Sequence, residues 1–218
     1  MDILEEFEEF KKPKKALTSG ATKKVIAVLV LISLIMFAKL APYGSTQLVG
    51  DALSKQIFIL YFFILSQTLG IVHEGGHGVC YILGLPQFFT ALNGTLFQLG
   101  FPLGIAYYYK HKKQIFPFLI GLFIFGLSLH YTAWYVSTSH EGLFLPAYKS
   151  FLGVDAQHDF NYILSQMGLL SYEGFIAGLL RFFAYMVMFY ASGKMTFLAF
   201  FGSNEKKSRR KRRFKTKK

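Results

Sequence analysis

The sequence predicts an all-α membrane protein: a polytopic bundle of about four to six transmembrane helices, with one re-entrant segment that dips into the bilayer and returns. Three observations lead there. Hydrophobic residues make up 53% of the 218 and charged residues only 17%, less charge than a soluble domain of this length carries. The apolar residues are gathered into blocks nearly free of charge and long enough to cross a bilayer, which takes about 18 to 20 residues. Lys and Arg outnumber Asp and Glu by 24 to 12, and they concentrate in the tails and at block edges.

Four blocks qualify as spans, Val25–Pro42, Gln56–Leu85, Gln114–Ser137 and Gly174–Phe201, and a fifth, Gly94–Tyr109, has only the length of a marginal crossing. They divide the chain into a tail at 1–24, a membrane domain at 25–201 and a polybasic tail at 202–218, with no room for a second folded unit. In the first tail Ile3, Leu4, Phe7 and Phe10 recur at helical spacing among glutamates, the pattern of a short interfacial helix or of a solvated tail. The acidic start, and the lack of a small-x-small pair after the apolar run at Ala38–Ala41, argue against a cleavable signal peptide. A single cysteine, Cys80, excludes an intramolecular disulfide and a cysteine-based zinc site. The run Arg209-Arg210-Lys211-Arg212-Arg213 has no aromatic platform beside it, so anionic lipid, not nucleic acid, is its expected partner.

Basic residues set the threading. If Gly94–Tyr109 dips and returns, the six lysines before the first span, Lys110, Lys112 and Lys113, and the ten basic residues from Lys206 to Lys218 share one side. That gathers 19 of the 24, against seven if the segment crosses fully. The expected product is a multi-pass protein of the plasma (inner) membrane with both termini in the cytoplasm. Within Pro86–Pro102, the residues Asn93, Gly94, Thr95, Gln98, Gly100 and Pro102 interrupt an apolar stretch. The expectation is either irregular backbone lining a wet cavity or substrate edge, with Asn93 and Gln98 facing it, or a loop outside the membrane.

The second block contains His73-Glu74-Gly75-Gly76-His77. On a helix, positions i and i+4 share a face, so both imidazoles can bind one metal ion, and Glu74 projects beside them where it can take a proton from an attacking water. Ionisable residues at the bilayer centre cost about 2.5–3.5 kcal/mol even on lenient insertion scales. Three within five positions need a compensating partner, and a bound zinc supplies one. Gly76, Cys80 and Gly84 form a small-residue stripe suited to close helix approach. Gly75 and Gly76 either ease that packing or open room for substrate backbone.

Catalytic zinc takes three protein ligands and an open position. The best later candidates are His158 and Asp159, with Asn161 close enough to orient a ligand or a substrate carbonyl. Asp159 also reads as a helix start. His130 and His140 are further candidates, and His111 sits in a lysine cluster and reads as solvated. Arg181, midway along the last block, is expected to face the bundle interior. With this threading His73 lies toward the cytoplasmic end of its helix and Asp159 outside, so the apolar run Leu143–Val154 has to fold back for the two to meet.

An H-E-x-x-H inside a membrane helix, followed by a polar stretch and a distal Asp, resembles the site-2 protease family of intramembrane zinc metalloproteases. The resemblance covers about Gln56 to Gly168. It implies His73, His77 and Asp159 as ligands of one Zn2+ per chain, Glu74 as catalytic base, and hydrolysis of peptide bonds in membrane-protein substrates. His158-Asp159-Phe160 stands where the family has Leu-Asp-Gly, and Gly94-Thr95-Leu96-Phe97-Gln98 only approximates its Gly- and Asn-containing signature, departures that suit a divergent member. The residues alone also admit a non-catalytic metal-binding membrane scaffold or a metal transporter.

Overall fold

A computed structural model of the chain describes residues 19–41, 52–145 and 156–202. The expected interfacial helix at Ile3–Phe10, most of the basic tail residues and most of the Leu143–Val154 run lie outside them. The described chain folds into helices α1 (Gly20–Leu40), α2 (Leu53–Ile82), α3 (Gln87–His111), α4 (Ile115–Ser137), α5 (Asp159–Gln166) and α6 (Glu173–Phe200), with short 3-10 turns at Ser139–Glu141 and Leu170–Tyr172. Strands β1 (Phe144–Leu145) and β2 (Ala156–Gln157) form a two-residue antiparallel ladder. The all-α polytopic bundle is as expected, and α1, α2, α4 and α6 are long and apolar enough to cross a membrane. Large apolar side chains such as Leu29, Ile82, Phe182 and Phe189 stand exposed around it, a surface that fits lipid and not water.

The central helix is α4: 61% of its most apolar window is buried, against 17% to 22% for the other three candidate spans. Small residues let its neighbours come close. A Cβ on Gly121 would lie 2.9 Å from Ala106 of α3, and one on Gly126 would lie 2.5 Å from the Met188 side chain of α6. Phe37, Phe58, Leu119, Met188 and Met195 are fully buried between the helices. The α2–α3 turn closes on Gly84, whose φ of +62° a side chain would strain. Leu85 N–H there bonds the Cys80 carbonyl and Gly84 N–H the Tyr81 carbonyl, a Schellman ending to α2 before Pro86 opens α3.

The expectation of irregular backbone in Pro86–Pro102, and of a dip at Gly94–Tyr109, is corrected: Gln87–His111 is one continuous 25-residue helix, about 37 Å long. Its polar residues do not break the helix because they tie it to its neighbours. Asn93 Nδ2 donates to the Gly76 carbonyl of α2 at 2.8 Å, and Gln98 Nε2 donates to Ser128 Oγ at 3.2 Å and Thr132 Oγ1 at 3.3 Å on α4. Pro102 has no N–H to give the Gln98 carbonyl. Ser128 Oγ takes that place, donating to it at 3.2 Å, so the proline leaves no unpaired acceptor at membrane depth.

The two ends of the bundle differ in charge. Lys23 Nζ lies 5.9 Å from the Phe116 ring and Lys24 Nζ 5.6 Å from the Phe200 ring, so the start of α1, the start of α4 and the end of α6 meet at one end. Lys110, Lys112 and Lys113 join them in the α3–α4 turn. At the opposite end, Gln87 Nε2 donates to Gln157 Oε1 at 2.9 Å and His140 pairs with Glu173, which gathers the α2–α3 turn, β2, the end of α4 and the start of α6. Helix α2 runs obliquely. Phe62 packs on Tyr131 and Trp134, and His73, eleven residues and about 16 Å further along α2, packs on Tyr135, about one turn past Tyr131 on α4.

The Pro102 repair gives a stability prediction. Ser128→Ala strands the Gln98 carbonyl and should destabilise the bundle by about 1–3 kcal/mol. In a Pro102→Ala background, where residue 102 regains its N–H, the same change should cost measurably less. Unfolding of the four proteins in mixed micelles checks the coupling; equal costs in both backgrounds would remove the serine from this role.

Candidate metal centre

The site lies at the end of the bundle opposite the lysines and draws on two helices distant in sequence. His73 and His77 sit one turn apart on the same face of α2, His73 buried and His77 half-buried. Asp159, also buried, is the first residue of α5, where the helix dipole favours a negative charge. His73 Nε2 is 2.9 Å and His77 Nε2 3.2 Å from Asp159 Oδ2, and the two ring nitrogens are 3.0 Å apart. These three residues are the group among the described residues that could hold a metal ion.

Three arguments fit the residues to a cation. His77 Nδ1–H donates to the Thr90 carbonyl at 2.7 Å, which fixes the tautomer and leaves Nε2 with its lone pair aimed into the group. Asp159 Oδ2 meets both Nε2 atoms from the first turn of α5, where the helix dipole favours the carboxylate form. The His77 Nε2 lone pair and Asp159 Oδ2 thus face each other at 3.2 Å, an arrangement that a cation between them stabilises. Finally, tetrahedral zinc with bonds of about 2.0–2.1 Å holds its ligand atoms about 3.3 Å apart, close to the separations present.

Glycines create the room. A Cβ on Gly94 of α3 would stand 2.6 Å from His77 Cε1 and Nε2 and 2.8 Å from His73 Cε1, so only the bare backbone of α3 admits both imidazoles. A Cβ on Gly76 would stand 2.5 Å from the Asn93 carbonyl, which makes that glycine a helix-contact residue. Gly75 has nothing within 4 Å of an added Cβ and leaves open space beside the motif. Sequence reasoning placed Gly94 in an irregular segment and missed this function; its signal was the i+17 spacing to His77, which only the antiparallel α2–α3 pairing makes meaningful.

The remaining candidates separate clearly. Glu74 is half-buried next to His73 in α2 and, among the described residues, has no hydrogen-bond or ion-pair partner. His158 is not in the group. It is the N-cap of α5, with Nδ1 accepting the Asn161 N–H at 3.4 Å, Nε2 3.0 Å from Thr138 Oγ1, and its ring stacked on Tyr135 at 4.4 Å. The structure therefore brings Asp159, and not its neighbour, to the histidines, and Asp159 starts a helix as well. Asn161 Nδ2 donates to the Ser139 carbonyl at 2.7 Å and holds the Ser139–Glu141 turn, while Asn93 and Gln98 make the interhelical bonds described above. His130 is buried among Phe37 and Tyr185, His140 pairs with Glu173, and exposed His111 packs on Tyr107. Cys80 is buried, its Sγ directed at the Phe89 carbonyl.

Comparison of the chain with protein-family models, with curated proteins and with solved structures finds no match.

The glycine contacts predict a metal-binding phenotype. Gly94→Ala should push the imidazoles apart and lower the metal content of purified protein several-fold, while Gly75→Ala, which meets only open space, should leave it unchanged. Elemental analysis of the two variants against wild type decides; full metal retention in Gly94→Ala would show that the rings have room to move.

Proposed function

We propose that the protein is a zinc metalloprotease that hydrolyses peptide bonds of membrane-protein substrates. The observation that carries the reading is the convergence of His73 Nε2, His77 Nε2 and Asp159 Oδ2 within 3.2 Å, at the end of an apolar bundle, with Glu74 next to His73 in the same helix. Two imidazoles and one carboxylate form the three-ligand set that leaves catalytic zinc an open position. When bound, zinc supplies Lewis-acid polarisation of a water and of the scissile carbonyl. Glu74 accepts a proton from the attacking water and delivers it to the leaving amine. The chemistry agrees with the resemblance to site-2 proteases, which rests on the same residues.

The reading extends to orientation. Basic residues favour the cytoplasmic side, so the end that carries Lys23, Lys24, Lys110, Lys112 and Lys113 is placed there, with both termini and the polybasic tail against anionic lipid. With α2 oblique, α1, α3, α4 and α6 serve as the four crossings, and the fold-back of Leu143–Val154 is not needed: α4 itself returns the chain to the end where His73 lies. The metal group then opens toward the non-cytoplasmic face.

Two experiments test these statements. Glu74→Gln keeps the shape and removes the base, so zinc should be retained while proteolysis falls by roughly 10²-fold or more. The readout is the set of new N-termini in the membrane proteome of cells that express wild type but not the variant. Identical termini in both would replace the enzyme by a metal-binding scaffold. For orientation, single cysteines at Lys113 and at Leu143, in a Cys80→Ser background, are exposed to a membrane-impermeant maleimide. Intact cells should label the Leu143→Cys protein and spare the Lys113→Cys protein; the reverse pattern would invert the threading.

A further inference from the structure

Beside Asp159 stands a tyrosine that is not among the candidate site residues and that the sequence places only in an interfacial aromatic belt with Tyr131 and Trp134. Tyr135, near the end of α4, places one hydroxyl against both ends of Asp159. Its oxygen accepts the Asp159 backbone N–H at 3.2 Å, and its O–H donates to Asp159 Oδ2 at 3.4 Å, the same oxygen that faces His73 and His77. The ring is clamped as well. It stacks on His158 with 4.4 Å between centroids and an interplanar angle of 13°, and meets Phe160 edge-on at 5.5 Å. His158 is itself fixed by Thr138 and by capping α5. The ring lies 6.0 Å from that of His73, so it also walls the site.

These contacts make sense as a device for a single side chain. Asp159 is the first residue of an eight-residue helix that follows directly on β2 and the N-cap His158, and its N–H is one of those a helix leaves without an internal partner. Left to itself, a carboxylate at such a position samples several rotamers and points Oδ2 at the histidines only part of the time. A hydroxyl that accepts from the residue's own N–H and donates to its own ligand oxygen restrains the backbone and the carboxylate together. From this geometry we infer that Tyr135 is a positioning residue for the metal centre: it holds Asp159 Oδ2 in the ligand position, with His158 as the plate that keeps the phenol ring in place. The inference deepens the proposed function and rests on its metal site, not on proteolysis. It also assigns His158 a use next to the ligand it does not replace. Partners of this kind, beyond the ligands themselves, typically change metal affinity by about 10- to 100-fold when removed.

The test is zinc affinity, measured on the full-length purified protein by competition with a chromogenic zinc chelator, for wild type, Tyr135→Phe, Asp159→Ala and the double variant. Tyr135→Phe keeps the ring, the His158 stack and the Phe160 contact and loses only the hydroxyl. It should bind zinc about 10- to 100-fold more weakly than wild type, with unchanged helicity. In the Asp159→Ala background, Tyr135→Phe should cost nothing further, because it acts through the carboxylate. The Co2+-substituted protein adds a spectroscopic readout: the visible ligand-field bands of wild type should shift or weaken in Tyr135→Phe as the carboxylate loosens. Unchanged affinity and spectrum in Tyr135→Phe would overturn the inference while the metal centre stands. An equal loss in the presence and absence of Asp159 would also overturn it, since the hydroxyl would then be acting on the fold and not on the ligand. Failure of wild type to bind zinc would remove the metal centre and this inference with it. Zinc binding with the expected pattern but without any proteolysis would sustain the inference and remove the enzymatic reading.

Discussion

How closely α2 can approach α3 decides whether this site exists. The two helices meet where Gly76 faces the Asn93 carbonyl and where Gly94 faces both imidazoles, and at each point a single added carbon would stand within 3 Å of its neighbour. Small residues at such contacts are how helices in a bilayer gain packing energy, since lipid is as apolar as leucine and no hydrophobic effect drives them together. At this contact the approach has a chemical consequence too. It presents the Thr90 carbonyl to His77 Nδ1 and thereby turns the Nε2 lone pair toward His73 and Asp159. Packing, tautomer and ligand direction follow from one helix–helix distance.

The polar residues of α3 serve the same end. A helix carrying Asn93, Gln98 and Pro102 is a poor membrane span on hydropathy, but each of these residues is answered by a specific group on α2 or α4. The bonds fix α3 in register between its neighbours, so Gly94 falls opposite the imidazoles instead of a turn away. A partly satisfied network at this depth would cost several kcal/mol, which makes the register a strong constraint. On the far side of the site, α4 contributes Tyr135 and its C-cap Thr138, and these position α5 and its first residue. The His73–His77–Asp159 group is thus assembled by α2 and α5 but aimed by α3 and α4.

The parts of this arrangement legible in the sequence were those with a local signature. The four long apolar helices followed from apolar runs, and the paired histidines followed from i, i+4 spacing within one helix. Asp159 could be put forward only as one of two neighbours, because adjacent residues His158 and Asp159 differ in direction and not in position; the choice between them depends on the N-cap geometry of α5. The continuity of α3 was hidden for a different reason. Its polar residues read as interruptions until their partners, Gly76 at seventeen residues' distance and Ser128 and Thr132 at thirty or more, are known. The oblique course of α2 was hidden as well, since 30 residues of suitable hydropathy set a length but no tilt. Charge counting gathered Lys23, Lys24, Lys110, Lys112 and Lys113 on one side, and the structure places these five at one end of the bundle.

The central claim is that two imidazoles and one carboxylate hold a zinc ion in this bundle. X-ray absorption at the zinc edge of the purified full-length protein tests it most directly, because the signal reports the ligand atoms themselves. The account predicts a four-coordinate spectrum of nitrogen and oxygen neighbours at about 2.0–2.1 Å, with the outer-sphere scattering of two imidazole rings and no sulfur. A sulfur neighbour at about 2.3 Å, a single imidazole, or protein that binds no zinc would contradict it.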